Sequence, residues 1–164
     1  MTSTIYFDGA CEYWQGNRNP GGIATYGWYI EKDNQRLAWG YGEAGRGGSI
    51  SNNVAEYTAL IEALKAAIAL NIQGDLTIQG DSQLVINQVT GLWGCNKPHL
   101  ARLCNEAEQL VRTLPGQKTI CWIPREQNEQ ADILSKAAYK KSLQLGSQWM
   151  ERYKAPALEG VTVR

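Results

Sequence analysis

The chain has 164 residues, 43% of them hydrophobic, with six Trp and eight Tyr, enough to bury one substantial core in a single globular domain. Sixteen Lys and Arg balance sixteen Asp and Glu, so the strong positive field that advertises nucleic-acid binding is absent, and composition alone suggests neither DNA nor RNA. Cys11, Cys95, Cys104 and Cys121 show no C-x-x-C spacing, the N-terminus lacks a basic region followed by an apolar run, and no stretch approaches the roughly 18 apolar residues of a membrane span. A reduced, cytoplasmic setting is therefore the expectation, and Met1 suggests a free-standing protein.

Thr2–Phe7 is rich in β-formers and leads into Asp8-Gly9. Gly22–Ile30 is a second β-prone run, Asp33-Asn34 supplies turn chemistry, and Gln35–Tyr41 fits a third strand, so the chain opens as an antiparallel meander. A Gly-rich link, Gly42–Ser49, precedes the clearest helix, in which Tyr57, Leu60, Ile61, Leu64 and Ile68 recur at helical spacing. Asp75–Gln79 reads as a strand, Ser82–Thr90 and His99–Leu114 as helices, and Thr119–Ile123 as a strand. A last helix starts near Glu126–Glu129 and carries Ile133, Leu134 and Ala137. The order predicts an α/β fold whose later strands, each reached through a helix, run parallel to the first. Residues from Gly146 onward carry no clear element.

Four acids stand at the junctions of these elements, and each has a plain structural explanation. Asp8 before Gly9 suits a turn, and Glu56 three residues after Asn53 suits a capping box. Asp81 before Ser82 suits a helix start, and Asp132 suits an ion pair with Lys136 one helical turn on. Their joint placement carries more information. If the first and fourth strands are parallel neighbours, Asp8 and Asp81 share the carboxyl edge where sites form in open α/β sheets, and two helices can bring Glu56 and Asp132 to the same place. Such a cluster repels itself unless a cation neutralises it, and an all-oxygen donor set favours Mg²⁺ or Mn²⁺.

The segments around these acids resemble the type 1 ribonuclease H family over nearly all of residues 2–142. Tyr6-Phe7-Asp8-Gly9-Ala10-Cys11 is similar to the family's first strand, which is followed by the turn Asn19-Pro20-Gly21-Gly22. Ser51-Asn52-Asn53-Val54-Ala55-Glu56 resembles its Thr-Asn-Asn-x-x-Glu, Gly80-Asp81-Ser82-Gln83 its Asp-Ser-Gln junction, and Asn128-Glu129-Gln130-Ala131-Asp132 its Asn-x-x-Ala-Asp. Each motif is short, and four in the right order are specific.

The resemblance implies a ribonuclease H-like fold: a five-stranded mixed sheet, three antiparallel strands then two parallel, flanked by helices. The catalytic domain would be residues 1–145, followed by a tail, 146–164, of unknown role. It further implies an endonuclease that cuts the RNA strand of RNA–DNA hybrids with two Mg²⁺ ions, or Mn²⁺ in their place, leaving 5′-phosphate and 3′-hydroxyl ends. Asp8, Glu56, Asp81 and Asp132 would be both catalytic residues and metal ligands, and Ser51, Asn52 and Gln83 would touch the hybrid. The protein is expected to act as a monomer without a membrane. The alternatives are a hybrid-binding module with little turnover and a relative acting also on double-stranded RNA.

Two departures from the family pattern bear on these expectations. The segment Ile123–Asn128 has no His, and the only histidine, His99, starts a helix elsewhere. Between Gln88 and His99 there is little room for the basic insertion of many relatives, leaving Trp93 as a candidate stacking residue. Lys136, Lys140, Lys141, Arg152 and Lys154 offer a basic face toward the C-terminus. Glu126 and Glu129 read as solvated acids at the start of a helix.

Overall fold

The structure, a computed structural model, describes residues 2–13, 22–48, 50–145 and 149–154. Its elements are β1 (Thr2–Tyr13), β2 (Gly22–Lys32), β3 (Gln35–Gly47), α1 (Asn52–Ala69), β4 (Asp75–Gly80), α2 (Gln83–Val89), α3 (Pro98–Thr113), β5 (Lys118–Trp122), α4 (Glu129–Leu145) and β6 (Met150–Lys154), with a 3-10 turn at Arg125–Gln127. The strands form one sheet in the order β5-β4-β1-β2-β3-β6. The pairs β1–β4 and β4–β5 are parallel, and β1–β2, β2–β3 and β3–β6 are antiparallel. The expected five-stranded mixed sheet is thus present with a sixth strand added. Residues 150–154, unassigned from sequence, complete the β3 edge.

The β2–β3 hairpin turns on Asp33 and Asn34, whose φ values of 52° and 63° lie in the left-handed region that a two-residue hairpin turn needs. The Gly-rich stretch expected to be a link is the second half of β3, because its register with β2 continues to Gly47. Of the turn Asn19–Gly22, only Gly22 lies within the described residues.

α1 and α4 cover opposite faces of the sheet, and α3 packs on α1. The core lies on the α1 side, where Ile5, Phe7, Trp28, Ile30 and Ile78 of the sheet meet Tyr57, Leu60 and Leu64. Period-2 alternation on β1 sends Ile5 and Phe7 into this core, which leaves Asp8 pointing the other way, toward α4. No helix among the described residues is long and apolar enough to cross a membrane. Among the described residues no disulfide joins Cys11, Cys95, Cys104 or Cys121.

Close approach of α4 depends on Gly27, where an added Cβ would stand 2.4 Å from the Leu134 Cβ and 2.6 Å from the Ser135 nitrogen. Gly27→Ala should therefore cost about 1–3 kcal/mol, read as a lower midpoint in chemical denaturation. An unchanged midpoint would show that α4 does not sit this close.

Candidate active site

The parallel β1–β4 pairing ends at Phe7 and Gly80, so Asp8 and Asp81 are the next residue along each strand. β1 does not stop at Asp8, as its Asp-Gly step suggested, but continues to Tyr13 against β2. Asp8 therefore sits in rigid strand, at the point where its other neighbour leaves the sheet.

Glu56 arrives through the N-terminal part of α1. Ser51 is the helix cap, its hydroxyl accepting from the Val54 N–H at 3.3 Å, so the capping box suggested for Asn53 and Glu56 does not form. Glu56 is instead free to accept from the Gly9 N–H at 2.8 Å. That contact needs a glycine, because a Cβ on Gly9 would stand 2.3 Å from the Ala55 carbonyl carbon and 2.4 Å from the Glu56 nitrogen. Asp8, Glu56 and Asp81 each offer an oxygen within 4.8 Å of the others, with the first two side chains buried and the third half-exposed.

Asp132 lies one step outside this trio, on the first turns of α4, close enough to hydrogen-bond Asp8. Its expected partner Lys136 is in place, with Nζ 2.9 Å from Oδ2, and Arg125 Nη2 stands 3.8 Å from Oδ1. All four acids line one cleft of about 500 Å³, together with Gly9, Cys11, Glu12, Asn52, Trp122 and Arg125.

Three of the acids hold their protons unusually well. Burial and then the Asp81 charge, with a hydrogen bond and charge from Asp132, push Asp8 up to about 8. Glu56 is raised well above the ordinary carboxyl range by burial and by Asp8 and Asp81, against the Gly9 N–H and the Arg125 charge. Burial also raises Asp81, while hydrogen bonds from Asp8 and Asn128 and the Arg125 charge pull it back. An all-carboxylate donor set that repels itself in this way fits a hard divalent cation, which would replace the protons with a favourable charge.

Of the residues expected to touch substrate, Asn52 lines the cleft, whereas Ser51 is committed to its cap and Gln83 is exposed at the start of α2. His99 is exposed on the first turn of α3 and does not line the cleft. Trp93 is 46% exposed beside Leu92 in the loop after α2. Glu126 and Glu129 are exposed, as expected. Of the anticipated basic face, Lys136 is tied to Asp132 and Lys141 to Glu151.

Sequence reasoning gave no role to Trp122, Arg125 or Asn128. Trp122 is 44% exposed and donates its indole N–H to the Asp81 carbonyl at 3.1 Å. Arg125 is an exposed cation at the rim. Asn128 is buried and donates to the Phe7 carbonyl at 2.8 Å. A lone Arg in a polar loop and an Asn before a helix look like solvation and capping, and only the three-dimensional closure shows otherwise.

A family model described as Reverse transcriptase-like matches residues 7–138. Ribonuclease HI of Halobacterium salinarum is 40% identical over 134 residues, which is 81% of this chain and 62% of that protein, so the chain spans less than two thirds of that relative's length. The crystal structure of RNase H1 from the same archaeon superimposes with a TM-score of 0.73 at 37% identity, covering 86% of this chain and 99% of the other. LC11-RNase H1, solved in complex with an RNA/DNA hybrid, has a TM-score of 0.73 at 28% identity, again over 86% and 99% of the two chains.

The raised carboxyls set the sign of a pH effect. Between about pH 4 and pH 8 the native Asp8 holds a proton that the unfolded chain has released, so metal-free stability falls as pH rises through that window. In EDTA the melting temperature should drop between pH 5 and pH 8.5 by the equivalent of about 2 kcal/mol, roughly 4–8 °C, and saturating Mg²⁺ should restore it at the alkaline end. A pH-independent melting temperature that ignores Mg²⁺ would contradict the crowding of these acids.

Proposed function

Because the chain belongs to the type 1 ribonuclease H family, we propose that it hydrolyses the RNA strand of RNA–DNA hybrids at the four-acid cleft, using two divalent cations and leaving 5′-phosphate and 3′-hydroxyl ends. The observation that carries this reading is the meeting of Asp8, Glu56 and Asp81 oxygens within 4.8 Å, with Asp132 lining the same cleft. The hybrid bound to LC11-RNase H1 supports the choice of substrate. Mg²⁺, or Mn²⁺ in its place, would be held by these four acids and would supply charge neutralisation at the phosphate and activation of water.

The chain's own groups have separable tasks. Gly9 fixes the Glu56 carboxylate through its N–H, and Lys136 fixes that of Asp132. Arg125 presents a cation at the rim, where a phosphodiester entering the cleft would otherwise meet only negative charge. Asn52 offers a neutral donor and acceptor beside Glu56, suited to a 2′-hydroxyl, the group that distinguishes RNA from DNA. No nucleophilic side chain is required, and residues 1–145 form the catalytic unit, with β6 extending its sheet.

Labelled hybrid, DNA duplex, double-stranded RNA and single-stranded RNA should be compared with Mg²⁺, Mn²⁺ and EDTA. Metal-dependent cutting of the hybrid's RNA strand is expected, and absence of cleavage alongside retained hybrid affinity would leave a binding module instead. Asp8→Asn should remove several kcal/mol of transition-state stabilisation, roughly a thousandfold in rate, without loss of fold. Full activity in that variant would refute the assignment. Arg125→Ala should lower kcat/KM about tenfold, with partial recovery in Arg125→Lys.

A further inference from the structure

Asn128 is 1% exposed and stands between the last 3-10 turn and α4. Two of the elements that carry the site meet on it. Its side-chain Nδ2 donates to the carbonyl of Phe7, the residue before Asp8, at 2.8 Å. Its backbone carbonyl accepts the N–H of Asp132 at 3.1 Å. The orientation of the amide follows from the first contact, since the flipped form would set Oδ1 against a carbonyl oxygen.

Among the described residues, Oδ1 of Asn128 is buried without a hydrogen-bond partner. A buried acceptor left unmade is a standing cost to stability. An amide retained in spite of it is retained for the N–H it gives to β1.

Resting on the proposed metal-dependent reading of the cleft, we infer that Asn128 is a positioning residue that sets the separation of Asp8 and Asp132 for divalent-cation binding. It touches neither substrate nor reacting atoms. It ties the main chain beside Asp8 to the first turn of the helix that presents Asp132.

Mn²⁺ binding to the whole protein, followed by electron paramagnetic resonance of the free ion, separates the two roles. Asn128→Ala should weaken Mn²⁺ binding roughly ten- to a hundredfold, and cleavage should recover as Mn²⁺ is raised. A purely anchoring role would lower the melting temperature in EDTA and leave the Mn²⁺ affinity of the folded protein at the wild-type value, which would overturn the inference. Should the alanine variant not fold, Asn128→Ser decides, because its shorter hydroxyl holds the Phe7 carbonyl and α4 at a different separation. An intermediate Mn²⁺ affinity is expected, and wild-type affinity would overturn the proposal. Wild-type protein that bound no Mn²⁺ would overturn the metal reading itself and this inference with it, whereas wild-type binding matched by both variants would overturn this inference alone.

Discussion

Like charges do not gather in a half-buried cleft unless the fold compels them to, and here the compulsion is the parallel pairing of β1 with β4. The ladder ends at Phe7 and Gly80 and delivers Asp8 and Asp81 side by side. The rest of the architecture accommodates that edge. Gly9 lets the first turns of α1 close on β1 and bring in Glu56, and Gly27 lets α4 close on β2 so that Asp132 reaches Asp8. A cluster assembled in this way is under electrostatic tension, visible in the protons that Asp8 and Glu56 retain. Divalent cations are the simplest relief of that tension and the simplest reason for its existence.

The positive charge near the cleft is small in amount and specifically placed. Lys136 and Arg125 both form ion pairs with Asp132, the acid outside the tight trio, while among the described residues no ion pair is made by Asp8, Glu56 or Asp81. This division would reconcile a chain of zero net charge with the proposed polyanionic substrate. On that reading, affinity that does not come from a broad basic surface would come from the metals, from Arg125 and from neutral polar groups such as Asn52, and would depend only weakly on salt, because side chains neutralise few phosphates. Lys141 cannot be added to this set, because it is bound to Glu151 and packed between Tyr41 and Trp149.

Much of this was legible in the sequence, for reasons that differ by element. α1 announced itself because one face of a helix buried on a sheet must repeat at helical spacing, as Tyr57, Leu60 and Leu64 do. The hairpin at Asp33-Asn34 was legible because few residues tolerate positive φ. The four acids were ambiguous singly, and Asp132 does make the ordinary ion pair with Lys136 that its spacing suggested. Their motif contexts, not their local chemistry, marked them. The second half of β3 and all of β6 were hidden because their pairing is non-local: Gly42 and Gly45 look like a linker until β2 and β6 lie beside them. Asn128 and Arg125 were hidden for a similar reason, since the partners that give them meaning stand on β1 or across the cleft.

Anomalous X-ray scattering from crystals grown with Mn²⁺ and a non-cleavable RNA–DNA hybrid tests most directly whether these four carboxylates hold divalent cations. Two manganese peaks are predicted among Asp8, Glu56, Asp81 and Asp132. A well-ordered hybrid in the cleft with no manganese at Asp8 would contradict that reading.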